Sequence, residues 1–121
     1  MKRKYYLYVI ALKETAFKDK KCIAQNPEFV KGPYSRCYYV GASSDTPEIR
    51  YEKHITDYKM ENGIGISSRV VRKHGYKKNG LRPRQYKGLN PIYAKNFKEA
   101  EIYEITLAEE LRKNGHFVYQ N

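Results

Sequence analysis

The run Cys37-Tyr-Tyr-Val-Gly-Ala-Ser-Ser-Asp-Thr-Pro-Glu-Ile-Arg-Tyr-Glu-Lys-His54 opens as a strand and closes as a helix, and it carries the chain's candidate chemistry. Cys37, Tyr38, Tyr39 and Val40 are aromatic or compact apolar residues that favour a strand, and Gly41 ends the run. Asp45 and Thr46 are good helix N-caps, and Pro47 has its φ already set for a first helical position. Asp45-x-x-Glu48 also fits a capping box. The segment therefore reads as a strand turning sharply into a helix. On that helix Arg50 and His54 share one face, which Tyr58 continues with Tyr51 and Ile55 beside it. A guanidinium and an imidazole among tyrosines make a candidate anion site. An amphipathic helix with polar edges explains the same pattern without a ligand.

A chain of 121 residues with 40% hydrophobic residues supports one domain, 1–121, with a modest core. Its 24 basic against 13 acidic side chains leave +11, which favours a polyanionic partner. Tyrosine, with 13 residues against four Phe and no Trp, suits surfaces that touch bases or sugars. Cys22 and Cys37 are too few and too far apart for a zinc ribbon or a redox CxxC, so a reduced pair is expected. Met1-Lys-Arg-Lys before an apolar run imitates a signal peptide. No small-residue cleavage site follows it, and the run falls far short of the roughly 20 residues of a membrane span. It is read as the first strand; the expectation is an intracellular protein, cytoplasmic or associated with nucleoid or nucleus, with no membrane partner.

In chain order, alternation over 4–12 puts Tyr6, Tyr8 and Ile10 on one face and Tyr5, Leu7 and Val9 on the other. Both faces are largely apolar, which predicts a central strand covered on both sides. Residues 13–36 form a long connection with Asn26-Pro27 and Gly32-Pro33 turn signals, room for a short helix and the character of a mobile segment. A second strand over 37–41 leads to a helix over about 46–61, stopped by Asn62-Gly63. A short helix from Ser67 or Ser68 passes through Val70 and Val71 and closes at Gly75. A weaker strand over about 82–89, a helix over about 97–113 capped by Asn114-Gly115 and a last strand over 116–119 complete the chain.

Charge is uneven along this chain. Between Glu61 and Glu99 no acidic residue occurs, while Arg69, Arg72, Lys73, Lys77, Lys78, Arg82, Arg84, Lys87, Lys95 and Lys98 interleave with Tyr76, Tyr86 and Tyr93. Cations that meet phosphate, with tyrosines to stack or hydrogen-bond, are the footprint of nucleic-acid binding, and Arg69 through Lys87 are taken as that surface. A solvated basic face that keeps the chain soluble is the plainer alternative. His74 is taken as lying near this surface and His116 as structural. In the last helix Ala100, Tyr103, Leu107 and Leu111 make an apolar stripe, and Glu104 projects inside it. A carboxylate there is costly unless paired or bound to a cation. Arg50 could supply the pair. A hard cation such as Mg²⁺ could equally be held, if substrate phosphate and water complete its shell.

Taken in order, Tyr6-Leu-Tyr8, Tyr39-Val-Gly41, Arg50-x-x-x-His54 and the later helical Glu104 resemble the GIY-YIG nuclease superfamily over nearly the whole chain. The resemblance implies an α/β (α+β) fold with a small, mainly antiparallel central sheet flanked by helices. It implies metal-dependent phosphodiester hydrolysis by an endonuclease, on DNA before RNA. By the same resemblance Tyr8 and Tyr39 flank the attacking water and scissile phosphate, and Arg50 stabilises phosphate charge. His54 takes a position that is His in some members and Tyr in others. Glu104 matches the single metal ligand, for Mg²⁺ or alternatively Mn²⁺, and Asn121 resembles an asparagine near the end of many members. The chain departs from the pattern at Tyr6, where members often have Gly, and in the long 13–36 connection. Ala42 and Ser43 leave out the lysine that repair-type members carry.

Hydrolysis of a phosphodiester needs an activated water, neutralised phosphate charge and a stabilised leaving oxygen. Arg50 offers a planar donor fork to phosphate. A tyrosine of pKa about 10 needs nearby cations to act as base, whereas His54 begins near 6.5, so Tyr8, Tyr39 and His54 all stand as candidates. Two rival classes remain: a nucleic-acid-binding module of the same fold that does not cleave, and a basic structural protein associated with nucleic acid.

Overall fold

Strand β1 (Arg3–Leu12) is buried at every position from Leu7 onward, as its two apolar faces predict. A computed structural model of the chain describes residues 1–56 and 68–120. In it β1 pairs antiparallel with β2 (Cys37–Ser43) on one side and with β3 (Ile92–Ala94) on the other. Strand β4 (Phe117–Tyr119) runs parallel to β2 at the far edge, giving the order β3-β1-β2-β4. The result is a mixed α/β fold on a small, mainly antiparallel sheet.

Among the described residues four helices accompany the sheet: α1 (Lys20–Ala24), α2 (Pro47–Ile55), α3 (Arg69–His74) and α4 (Phe97–Lys113). Helix α4 covers the Tyr5 face, with Phe97 6.1 Å from the Tyr5 ring and with Tyr103 and Leu107 beside Leu7 and Ile92. Helix α2 covers the Tyr8 face through His54. Thr46 caps α2 through its hydroxyl, while Asp45 instead binds Lys53 at 2.9 Å, so the capping box expected at Asp45 does not form. The described part of α2 ends at Thr56; the expected continuation to residue 61 and the Asn62-Gly63 stop lie outside the described residues, as do Tyr58 and Asn121.

Two expectations need correction. Residues 82–89 form no strand: Arg82 N–H donates to Val9 and Leu81 makes one isolated bridge to Ile10, after which Pro83–Gln85 is a 3-10 turn. Pro83 lacks the donor a ladder needs, and the real edge strand starts only at Ile92. The buried stripe of α4 is Ala100, Glu104, Leu107, Ala108 and Leu111, rotated away from Tyr103, which stays half-exposed. A phenol that keeps its hydroxyl wet yields the core position to the smaller Ala108.

Amide side chains finish what backbone pairing leaves open. Asn90 accepts from Leu7 N–H at 2.8 Å and donates to Leu7 C=O at 2.7 Å, extending the β3 edge by one peptide equivalent. On the opposite edge Asn26 accepts from Val118 N–H and donates to Val118 C=O, and Gln25 does the same with Gln120. The 13–36 connection is thus fastened along β4 by two side chains acting as a strand. Its inner end is held at α1, where Asp19 caps the backbone N–H groups of Lys21 and Cys22. Replacing Asn26 with Leu preserves volume but leaves Val118 and Arg112 Nε short of partners. We expect a loss of about 2–4 kcal/mol in denaturant unfolding, since each buried orphan costs roughly 1–3 kcal/mol.

Candidate active site

The β1–β2 register sets Tyr8 directly opposite Gly41. The Tyr8 ring lies across the glycine: a Cβ there would come within 2.3 Å of Cζ and Oη. Only glycine at that point lets the phenol stay against the strand. Tyr39, two residues earlier and therefore on the same face, brings its ring centroid to 6.1 Å from Tyr8. His54 of α2 completes the cluster at 5.8 Å from Tyr8 and 5.2 Å from Tyr39, edge-on to the latter.

The hydrogen bonds assign the histidine tautomer. Ser68 N–H, at the start of α3, donates to His54 Nδ1 at 2.8 Å. A backbone N–H can only donate, so Nδ1 is the bare nitrogen and the ring proton sits on Nε2. That proton points at Tyr8 Oη, 3.0 Å away. The side chains of Arg50 and Tyr39 also act on the Tyr8 hydroxyl, each favouring its ionised form. A donor and a positive charge gathered at one phenol oxygen favour the ionised form.

Burial opposes ionisation here. It raises the Tyr8 pKa above its ordinary value of 10.0, with the charge and hydrogen bond of Arg50 pulling back. Tyr39 is raised well above 10.0 by burial and by its Tyr8 neighbour. Burial, then the Arg50 charge, drives His54 down to about 3, so it is neutral across the working pH range. Glu104 is pushed up to about 7 by burial, with Gln120 donating to Oε2 at 2.8 Å and the Ala42 backbone also bonded to it. Both partners are neutral, and the nearby Glu101 charge raises Glu104 further.

The sequence-derived residues therefore fall into two parts. Tyr8, Tyr39, Arg50 and His54 form one hydrogen-bonded cluster on the α2 side. Glu104 rides on α4, the helix covering the other face, and its carboxylate reaches the Ala42 backbone of β2, from where its charge is felt at both tyrosines. Two contributors were missed in the sequence. Ser68 was read only as a helix start, and Gln120 carried no signal because its role depends on β4 ending beside α4.

The basic window leaves directly from this cluster, since α3 begins at the Ser68 bond to His54. Arg72, Lys73, Lys77, Lys78, Arg84 and Lys87 are exposed. Arg82 is turned back onto the carbonyls of Asn79 and Leu81. Arg69 pairs with Asp19 at 3.2 Å. His74 is not at this surface. It is buried, with Nε2 2.9 Å from Asp19 and Nδ1 2.8 Å from Thr15, and it ties the 13–36 connection to α3. His116 accepts from Arg36 N–H and meets Tyr38 edge-on. Tyr51 holds the Lys77-Lys78 turn by donating to the Tyr76 carbonyl and accepting from Gly80 N–H.

Among the described residues no three His, Cys, Asp or Glu side chains come together as a metal cluster. No helix among the described residues is long and apolar enough to cross a membrane. No family model matches this chain, and the comparisons with curated proteins and with solved structures give no match.

The Gly41→Ala variant should expel the Tyr8 ring, at a cost of about 1–3 kcal/mol for overpacking. His54 then loses its enclosure, and its titration, followed by imidazole NMR, should move up from about 3 toward 6.5. In the parent the unfolded chain gains a proton between those values that the fold refuses, so stability falls as pH drops from 6.5 toward 3. Gly41→Ala should flatten that fall.

Proposed function

We propose that the chain is a metal-dependent nuclease, an endonuclease, that hydrolyses phosphodiester bonds in DNA. The observation that carries the reading is the Tyr8 hydroxyl 3.0 Å from His54 Nε2, with Arg50 and Tyr39 both acting to favour its ionised form. In this scheme Tyr8 first loses its phenol proton to solvent and, as phenolate, is the general base that takes up a proton from the attacking water. His54 holds a proton on Nε2 toward it, and Ser68 keeps the tautomer. His54 itself is a poor base, because its bare nitrogen is already committed to a backbone N–H. Arg50 stabilises the phenolate and, as phosphate enters, its guanidinium charge supports a non-bridging oxygen. Tyr39 orders the Tyr8 hydroxyl and stacks on Tyr119 at 6.2 Å.

Glu104 fits a role as the carboxylate for Mg²⁺, or alternatively Mn²⁺. A buried acid pushed up to about 7 and bonded only to neutral groups gains more from a cation than an ordinary surface glutamate. The bound ion would neutralise phosphate charge and assist the leaving oxygen. Exposed cations from Arg72 to Lys87 would grip the backbone on either side of the scissile bond.

One observation favours a second reading, a nucleic-acid-binding module of the same fold that does not cleave. Tyr8, Tyr39 and His54 are only 1%, 3% and 0% exposed, as in a purely structural aromatic cluster. Cleavage assays on single-stranded, duplex, flapped and branched DNA with Mg²⁺ separate the two. The nuclease reading expects turnover that Tyr8→Phe and Glu104→Gln each cut by about 10²–10³ or more, with affinity kept. DNA affinity without turnover by the parent favours the module.

A second measurement needs no turnover. Folding holds a proton on Glu104 that the unfolded chain, with a pKa near 4.5, has lost. That contribution is complete below 4.5 and is lost as pH rises through about 7. At alkaline pH Glu104→Gln should therefore raise the thermal midpoint, and in acid it should change little. Mg²⁺ should raise the midpoint of the parent at alkaline pH and leave that of Glu104→Gln unmoved. An equal response of both proteins would remove Glu104 as the ligand.

The basic window makes a separate expectation. Reversing Arg72, Lys73, Lys77 and Lys78 to Glu should weaken DNA binding broadly. It should also flatten the dependence of log K on log salt, which for duplex DNA is about −0.9 per phosphate contact. Binding unaltered by the reversal would reduce the window to a solubilising surface.

A further inference from the structure

The outward face of α4 carries a pattern that the core does not use. The helix turns Ala100, Glu104, Leu107, Ala108 and Leu111 inward. On the opposite side, in mid-helix, stand Ile102 and Ile105, 61% and 50% exposed. Exposed Lys98 precedes them by one turn and Glu109, its side chain 63% exposed, follows by one turn. Positions 98, 102, 105 and 109 step by four, three and four residues, the spacing of a coiled-coil seam.

We propose that this face docks a second copy of the chain, helix against helix and antiparallel, about a two-fold axis passing between Ile102 and Ile105. In that arrangement Ile102 packs on the partner's Ile105, and Lys98 faces the partner's Glu109. Each contact occurs twice, as an isologous interface requires. Charge excludes the neighbouring alternatives. A parallel pair would set Lys98 against its own copy and Glu109 against its own copy. An antiparallel pair centred on Ile105 would oppose Lys98 to Arg112 and Glu101 to Glu109. Of these three arrangements, the register centred between the two isoleucines is the one that joins apolar to apolar and cation to anion within the helix.

The arrangement matters for a chain of net charge +11, whose copies repel one another at long range. Glu109 supplies a local attraction, and two isoleucines from each copy supply the apolar contact. The seam is narrow, so the pair belongs with weak, concentration-dependent associations rather than with interfaces of roughly 1,200–2,000 Å². The proposal stands whether or not the tyrosine cluster cleaves anything.

Sedimentation between about 10 μM and about 1 mM tests it. The parent should show a monomer–dimer equilibrium. Lys98→Glu alone and Glu109→Lys alone should each raise the dissociation constant about tenfold or more, because like charges then meet across the axis. Mixing those two variants should restore association, since every 98–109 contact in the mixed pair again joins opposite signs. The double variant should restore it as well. Both substitutions lie on the exposed face and circular dichroism should be unchanged. A parent that stays monomeric throughout overturns the proposal. So does a dimer indifferent to both single reversals, or a mixture that fails to associate.

Discussion

The pairing of Tyr8 with Gly41 across the two central strands is the constraint on which the site depends. It places a large phenol where the opposing strand has no side chain, and the ring occupies that gap. A slip of one residue would turn Tyr8 to the α4 face and remove it from His54. The register is held by seven consecutive pairs, from Tyr6 with Ser43 to Leu12 with Cys37, over a stretch where nearly every side chain is buried on one face or the other. Core packing therefore fixes the position of the candidate base. The site inherits the precision of the sheet.

Electrostatics then separates groups that look equivalent in a list of titratable residues. His54 is enclosed beside a guanidinium and is held neutral, whereas Glu104 is enclosed beside neutral amides and is drawn toward protonation. Their contributions to stability run in opposite directions with pH. Asp19 is a third case. Burial alone would raise it, but His74, two backbone N–H groups and Arg69 hold it far below the ordinary carboxylate range. That buried anion anchors the long connection to α3, the helix whose first backbone N–H sets the His54 tautomer. The insertion and the tyrosine cluster are thereby joined through one short helix.

Much of the fold was legible because its signals are local. Alternating apolar residues on two faces marked β1, and Thr46-Pro47 marked the start of α2. Cys37 through Val40 marked the second strand, which runs two residues past its expected end at Gly41 because Ala42 and Ser43 go on pairing with β1. The stripe on α4 with a carboxylate inside it was readable from spacing alone, as was the basic window without acids. Reading failed where side chains stand in for backbone. Asn26, Gln25 and Asn90 serve as sheet partners to residues 83–95 positions away in sequence, and nothing in their neighbourhoods announces it. His74 was misplaced for the same reason, since its burial depends on Asp19 arriving from a distant helix cap.

The sequence by itself determined which residue types could do chemistry and on which element each would ride, because strand and helix periods are properties of the local chain. It could not choose among Tyr8, Tyr39 and His54 as base. What the tertiary structure adds is the His54 tautomer, set by Ser68 N–H, which only the packing of α3 against α2 brings within 2.8 Å; the proposed role of Tyr8 rests on it. Nor could it separate an Arg50 partner for Glu104 from a neutral one. The tertiary structure supplies Gln120 and the Ala42 backbone, because the helix carrying Glu104 lies across the sheet from the helix carrying Arg50. Distances of this kind depend on how layers stack, and layer stacking is decided by the whole core at once.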